Sequence, residues 1–280
     1  QRQMCIRDRY LTVCRIGKTT ALQRQMIGGT SNSIGMAIAP LVISYLIFHG
    51  TPLHDIVTKQ FIIPLIILIL IMLIITLLVG KTQMPSIDNV RQAPGEKFDK
   101  SVWSFRNLKL GVWGIFFYVG IEVAVGANVN MYASELGGSF ASNATHMAAL
   151  YWGLLLLGRF LGSFIKQVPS EKQLVIASIG AIVLLVLAML TANPWILTLI
   201  GFFHSIMWPA IFTLATDQLG KYTTKASGVL TMGVIGGGII PLLQGIFADV
   251  MGGNWLWTWL LVIAGEAYIL YYGLNGYKQH

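Results

Sequence analysis

Three ionisable side chains, Glu122, His204 and Glu266, lie inside stretches that are otherwise apolar. Groups of this kind are costly in a membrane and face protein or water, where they bind a solute, move a proton or hold a partner. At about 100° per residue, Tyr118, Glu122, Gly126 and Asn130 fall within about 120° of one another and make one polar stripe, while Asn128 points elsewhere. His204 and Trp208 stand one turn apart, with Pro209 beside them. An aromatic plane next to a polar group suits a sugar, the ring lying on the C–H face and the polar group taking hydroxyls; a satisfied buried imidazole is the plainer reading. Asn32 and Gln244 complete the candidate solute-binding set of Asn32, Glu122, Asn130, His204, Trp208 and Gln244. Asn32 serves equally well as glue between helices. Glu122, His204 and Glu266 would also supply an acid and a base to a membrane enzyme, but no nucleophile motif, metal pair or cofactor signature accompanies them. No catalytic residue, metal ligand or cofactor is therefore expected.

The elements that carry these residues are membrane spans. The chain has 280 residues, 55% hydrophobic and 11% charged, with a mean hydropathy of +0.69, far from the soluble balance of roughly a quarter charged. Apolar segments at 26–48, 61–80, 108–132, 145–165, 173–191, 195–216, 227–249 and 254–274 predict an all-α polytopic membrane protein with eight spans, so the lipid bilayer is one partner. The net charge of +8 does not point to nucleic acid. If the first span starts in the cytoplasm, every Lys and Arg except Lys59 falls on the inner side, which puts both termini in the cytoplasm. Cys5 and Cys14 fall on that side too, so no disulfide framework is implied. A channel would call for rings of like residues or hydrophobic gates, and none is visible.

The stretch from Gly201 to Asp249 reads as two spans joined by a short basic loop, both containing helix-breakers. Pro209 frees the carbonyl of Ser205, and Pro241 frees that of Gly237, so something other than lipid must satisfy them. Gly233, Gly237, Pro241 and Gln244 share a face. These features predict a hinged helix pair lining the solute path, with Pro209, Gly237 and Pro241 as hinge positions. Arg159 is the fourth gating candidate, either as a salt bridge that locks one conformation or as an anchor at an inner helix end. Gly158 and Gly162 offer a close-packing face. The first span is rich in small and polar residues and packs inside; the second and fifth are almost wholly apolar and face lipid.

The polar stretch 81–107 predicts a linker between an N-terminal part, 21–80, and a six-span bundle, 108–280. Residues 1–20 are set aside as a non-native leader, because the string from Met4 to Arg9 resembles the translation of a sequencing adaptor. Gly17, Lys18 and Thr19 imitate the end of a phosphate-binding loop, but Thr12 stands where that loop needs glycine.

With these residues in view, SIMWPAIFTLATDQLGKYTTKASGVLTMGVIGGGIIPLLQGIFAD resembles the penultimate helix pair of the fucose, galactose and glucose proton symporters of the major facilitator superfamily. FYVGIEVAVGANVNMYASELGG and YWGLLLLGRFLGSF resemble two earlier helices of that family. The resemblance implies a major-facilitator bundle of twelve helices in two halves, of which the eight spans here are helices five to twelve of an N-terminally truncated chain. It implies uptake of a hexose or deoxyhexose by cation symport through alternating access, with H+ or Na+ as coupling ion and no other cofactor. It also implies protonatable carboxylates on the first and fourth helices, which precede this sequence. The expected setting is the bacterial cytoplasmic (inner) membrane, the expected state a monomer, and a major facilitator transporter for a different solute is the alternative.

Overall fold

The computed structural model describes residues 2–13, 17–41, 62–82, 98–165 and 167–279. The outer part of the first predicted span (42–48), the first residue of the second, most of the predicted linker (83–97) and Lys166 lie outside the described residues. Those described contain helices and no strand. They are α1 (Arg2–Val13), α2 (Ala21–Leu41), α3 (Ile62–Lys81), α4 (Arg106–Leu136), α5 (Gly138–Ser142), α6 (Ala144–Gly162), α7 (Ser170–Thr191), α8 (Pro194–His204), α9 (Met207–Ala215), α10 (Thr223–Leu230), α11 (Gly236–Val250) and α12 (Trp259–Tyr271).

Two compact units can be described, residues 31–86 and residues 1–30 with 87–280. In the first, the side chains from Leu65 to Leu70 and Ile71 to Ile75 are about half exposed all round α3, the pattern of a helix whose Ile and Leu surface suits lipid.

The larger unit is organised around α4, which packs on α6, α8, α9, α11 and α12. Small residues set these approaches, as they do where helices associate without a hydrophobic driving force. A side chain at Gly236 of α11 would run into the carbonyl of Phe116, and one at Gly120 would meet Ile240 and the Gly236 carbonyl. The Gly158–Gly162 face divides its work: Gly158 abuts Ser205 and the Phe202 carbonyl, and Gly162 abuts Met26. On α7 the buried side is Leu174, Ala177, Ser178, Ala181, Leu185 and Ala188, whereas Ile176, Ile179, Val183 and Leu190 are exposed. The helix thus sorts its residues by size more than by polarity, as a lipid-facing span does.

Proline and capping residues explain where the spans break. Asn193 caps α8 by accepting from the Trp195 N–H at 3.0 Å, with Pro194 as the first helical residue, where its missing donor costs nothing. The predicted span 195–216 is two helices, interrupted at Ser205 and Ile206. Pro209 has no N–H for the Ser205 carbonyl and its ring crowds that oxygen. The span 227–249 is likewise divided, by a 3-10 turn from Thr231 to Ile235. Pro241 lies inside α11, so the irregular segment precedes the glycine run and does not centre on this proline. The last span comprises a 3-10 turn, α12 and a π turn from Tyr272 to Gly276.

By length and composition, four helical stretches among the described residues can cross a membrane: Arg106–Leu136, Ser170–Thr191, Pro194–Ala215 and Gly220–Val250. At the start of α4, the Tyr222 hydroxyl accepts from the N–H groups of Asp99 and Lys100, both at 3.1 Å, and the Lys225 ammonium lies 3.5 Å from the Phe98 ring centre. The stretch set aside as a leader forms α1, and the Arg24 guanidinium binds the carbonyls of Leu11, Thr12 and Thr19.

Candidate functional site

The polar interior of the larger unit is built where α4, α6, α8 and α12 meet. Glu122 projects from the middle of α4, and its Oε1 accepts from the Tyr118 hydroxyl at 2.6 Å. The two residues are one turn apart, so the helix itself aligns them. The same oxygen stands 3.4 Å from Nη2 of Arg159, with the carboxylate side chain 14% exposed and the guanidinium 11%. That distance is at the long end of the hydrogen-bond range. Arg159 also donates through Nε to the carbonyl of Ser205 at 3.3 Å, the oxygen that Pro209 cannot bind. A guanidinium can do both because its donors form a rigid fork.

A second cluster lies deeper. The Tyr151 hydroxyl is 2.6 Å from Nδ1 of His204 and 3.1 Å from the main-chain carbonyl of Glu122. His204 Nε2 is 2.6 Å from Glu266 Oε1, with both side chains wholly buried. The other Glu266 oxygen has no partner among the described residues. The three ionisable residues singled out in the sequence are therefore neighbours, joined by two tyrosines.

The remaining candidates take varied positions. Asn130 is partly buried, and its Oδ1 lacks a partner among the described residues. Asn32 is exposed on α2. Gln244 is fully buried, donating to Thr258 Oγ1 at 3.1 Å and accepting from Asn128 at 2.9 Å. Asn128, which helical spacing turns away from the stripe, thus ties α11 to α4 through Gln244. Trp208 is 6% exposed, and its indole N–H donates to Asp8 Oδ2 at 2.9 Å. Burial raises the Asp8 carboxyl above its ordinary value, while Arg7 and the indole pull the other way.

In this conformation His204 has both ring nitrogens against protein groups and no exposed surface, and each end of the Gln244 amide has one protein partner. The face holding Gly237 and Gln244 is a seam against α4, where a side chain at Gly237 would crowd Val119. Tyr151 and Thr258 are the polar residues that sequence reasoning missed. For Tyr151 a signal was present, since it shares the buried face of α6 with Leu155, Gly158 and Arg159. Among the described residues no group of His, Cys, Asp and Glu is arranged to hold a metal ion.

The Major Facilitator Superfamily profile matches residues 23–240. The chain is 35% identical over 263 residues to a putative glucose/galactose transporter of Helicobacter pylori, covering 89% of this chain and 64% of that protein. It is 34% identical over 279 residues to a glucose/galactose transporter of Brucella abortus, covering 96% of this chain and 67% of the relative. It is 29% identical over 199 residues to the L-fucose-proton symporter of Escherichia coli, covering 68% and 45%. The chain thus spans roughly two thirds of the length of its glucose/galactose-transporting relatives. The crystal structure of the transporter FucP in the outward conformation superposes with a TM-score of 0.82 at 23% identity, covering 98% of this chain and 72% of that one, a likeness of fold.

Proposed function

The chain belongs to the Major Facilitator Superfamily and is an integral membrane protein; on that premise, we propose that it is the greater part of a secondary transporter that takes up a hexose or deoxyhexose with a coupling cation by alternating access. The observation that carries this reading is the Glu122–Arg159 pair at 3.4 Å, with Tyr118 on the same carboxylate oxygen. It is a charged, largely buried site beside a broken helix, and such intramembrane carboxylates usually mark a solute or ion path. The glucose/galactose transporters and the fucose-proton symporter among the relatives support the solute class.

In this reading Glu122 and Asn130 meet the solute, while Gln244 holds the α11–α4 seam in shape. Trp208 supplies an apolar plane if α1 is absent. The break at Ser205 and Ile206 and the 3-10 turn from Thr231 to Ile235 are the places where backbone angles change. The transporter works as a monomer in a bacterial cytoplasmic membrane, with both termini in the cytoplasm, an orientation supported by the one-sided distribution of Lys and Arg.

The test is uptake of labelled glucose, galactose and fucose into cells lacking their own carriers, using a complete reading frame that contains this sequence. Saturable uptake of one of them, abolished by a protonophore or by replacing sodium, is the expected result. Absence of uptake for all three from a protein present in the membrane would overturn the assignment.

A further inference from the structure

We propose that His204 and Glu266 form an occluded proton-binding site in this bundle, separate from Glu122, and that the Tyr151 hydroxyl reverses its hydrogen bond according to whether the proton is present. This inference concerns the buried pair itself and holds whichever solute is carried.

The argument is one of hydrogen-atom bookkeeping. The Glu122 main-chain oxygen can only accept, the Tyr151 hydroxyl has one hydrogen to give, and each ring nitrogen of His204 has one polar neighbour. Two patterns satisfy the observed distances with Glu266 Oε2 unprotonated; placing the added proton on the unpartnered Oε2 instead would leave Tyr151 donating to Nδ1, the outcome in which Nδ1 never gains a proton. In the first, Tyr151 O–H donates to Nδ1 at 2.6 Å and Nε2–H donates to the Glu266 carboxylate at 2.6 Å. In the second, Nδ1–H donates to the Tyr151 oxygen, Tyr151 O–H turns to the Glu122 carbonyl at 3.1 Å, and Nε2 and Glu266 Oε1 still share a hydrogen. The second pattern contains one proton more than the first. It arrives from water on Nδ1, no covalent bond between heavy atoms changes, and no hydrogen bond of His204 is lost.

The surroundings favour such a site. In the first pattern the pair has a net negative charge at zero exposure, with one Glu266 oxygen unpartnered, an arrangement that is expensive in a dry interior. In the second the pair is neutral. The titratable and charged groups facing it are few. Tyr118 and Glu122 come from α4, with the Tyr118 ring 6.2 Å from the imidazole, and Tyr151 and Arg159 come from α6. Arg159 is already committed to Glu122 and the Ser205 carbonyl, so it does not neutralise Glu266. The titratable residues of α7, Glu171 and Lys172, sit in its first turn. Helix α9 contributes none itself, and Asp8 stands beyond its Trp208. Among the described residues His204 is the basic group that contacts Glu266, so a proton taken up by the pair is what balances the carboxylate charge.

The test is an acid titration of the chain in lipid nanodiscs, with 15N-labelled histidine followed by NMR. The sequence has five histidines, and His204→Gln identifies the resonance of interest, with exposed His146 as a reference in the same spectra. The expected result is that His204 Nδ1 changes from acceptor to protonated donor while Nε2 stays protonated. The change should be lost in Glu266→Gln, which keeps a hydrogen-bond partner but cannot become an anion. Tyr151→Phe removes the group that switches, so the transition should move while the reference His146 stays put. A His204 whose Nδ1 never gains a proton, or whose titration is the same with Glu266→Gln, would overturn the proposal. If Glu266→Gln does not fold, the parent and Tyr151→Phe titrations decide: no transition, or one unmoved by Tyr151→Phe, refutes it.

Discussion

Arg159 donates its Nε–H to the Ser205 carbonyl at 3.3 Å, the main-chain oxygen that Pro209, four residues further on, leaves without a helical donor. The break between α8 and α9 is therefore closed by a side chain from α6, and the same guanidinium reaches Glu122 on α4. Three helices meet at one residue. Removing it takes the cation from the Glu122 carboxylate, which keeps only the Tyr118 hydroxyl as donor, and leaves the Ser205 carbonyl without its side-chain donor.

Arg159→Ala should therefore destabilise the protein by about 3 kcal/mol, the usual scale for truncating one partner of a buried pair. Arg159→Lys should recover part of that loss, because a single ammonium cannot serve both acceptors in the fork geometry. The assignment to Ser205 is tested by repeating the measurement with Pro209→Ala, which restores the missing N–H. In that background the Arg159→Ala loss should shrink by about 1 kcal/mol, a coupling typical of residues in contact. Equal losses in both backgrounds, measured by thermal unfolding in one detergent, would show that Arg159 does not repair the proline break.

Glu122→Gln keeps an acceptor for Tyr118 but removes the charge that Arg159 faces. If Glu122 binds solute or proton, sugar uptake by the complete transporter should fall at least about tenfold, the equivalent of roughly 1.4 kcal/mol, while its amount in the membrane holds. Unchanged uptake would leave Glu122 as a structural partner of Tyr118 and Arg159.

How far the sequence could be read depends on which residues are involved. Span positions, the inward Glu122 and its contact with Tyr118 follow from helical periodicity within one element. The two breaks follow partly from proline chemistry, and Pro209 correctly marks Ser205 as the exposed carbonyl. Contacts between helices were not legible in the same way. His204 and Glu266 meet only because α8 and α12 pack at one particular depth and rotation, which no spacing within either segment encodes. The partner of Asn128 was not legible for a related reason. Its angle to Glu122 shows only that it leaves the stripe; that Gln244 approaches on that other side of α4 is set by the packing of α11.

The glycine run separates hinge from packing. A side chain at Gly236 would strike the Phe116 backbone, while the space beside Gly238 is open. Gly236→Ala should thus destabilise by about 1–3 kcal/mol through overpacking, and Gly238→Ala should be neutral or slightly stabilising, since helix interiors favour Ala over Gly by up to about 1 kcal/mol. If backbone freedom in this run is also needed for transport, Gly238→Ala slows uptake without lowering the melting temperature. Similar melting losses for both variants would contradict the contact geometry.

The last expectation concerns Trp208, whose indole N–H is held by Asp8 of α1 at 2.9 Å. A chain beginning at Ala21 lacks that helix and the carboxylate, so Trp208 should become more accessible while Tyr118 and Phe212 keep their ring contacts with it. With fluorinated tryptophan and Trp208→Phe to assign its signal among eight, the shortened chain should show a larger solvent-induced shift at Trp208 than the longer one. Addition of a transported hexose should then move the Trp208 resonance in the shortened chain, and Glu122→Gln should reduce the response if both residues border one pocket. A Trp208 signal that sugar leaves untouched, in a shortened chain that still melts cooperatively, would remove Trp208 from the solute path and leave it a core aromatic packed against Tyr118 and Phe212.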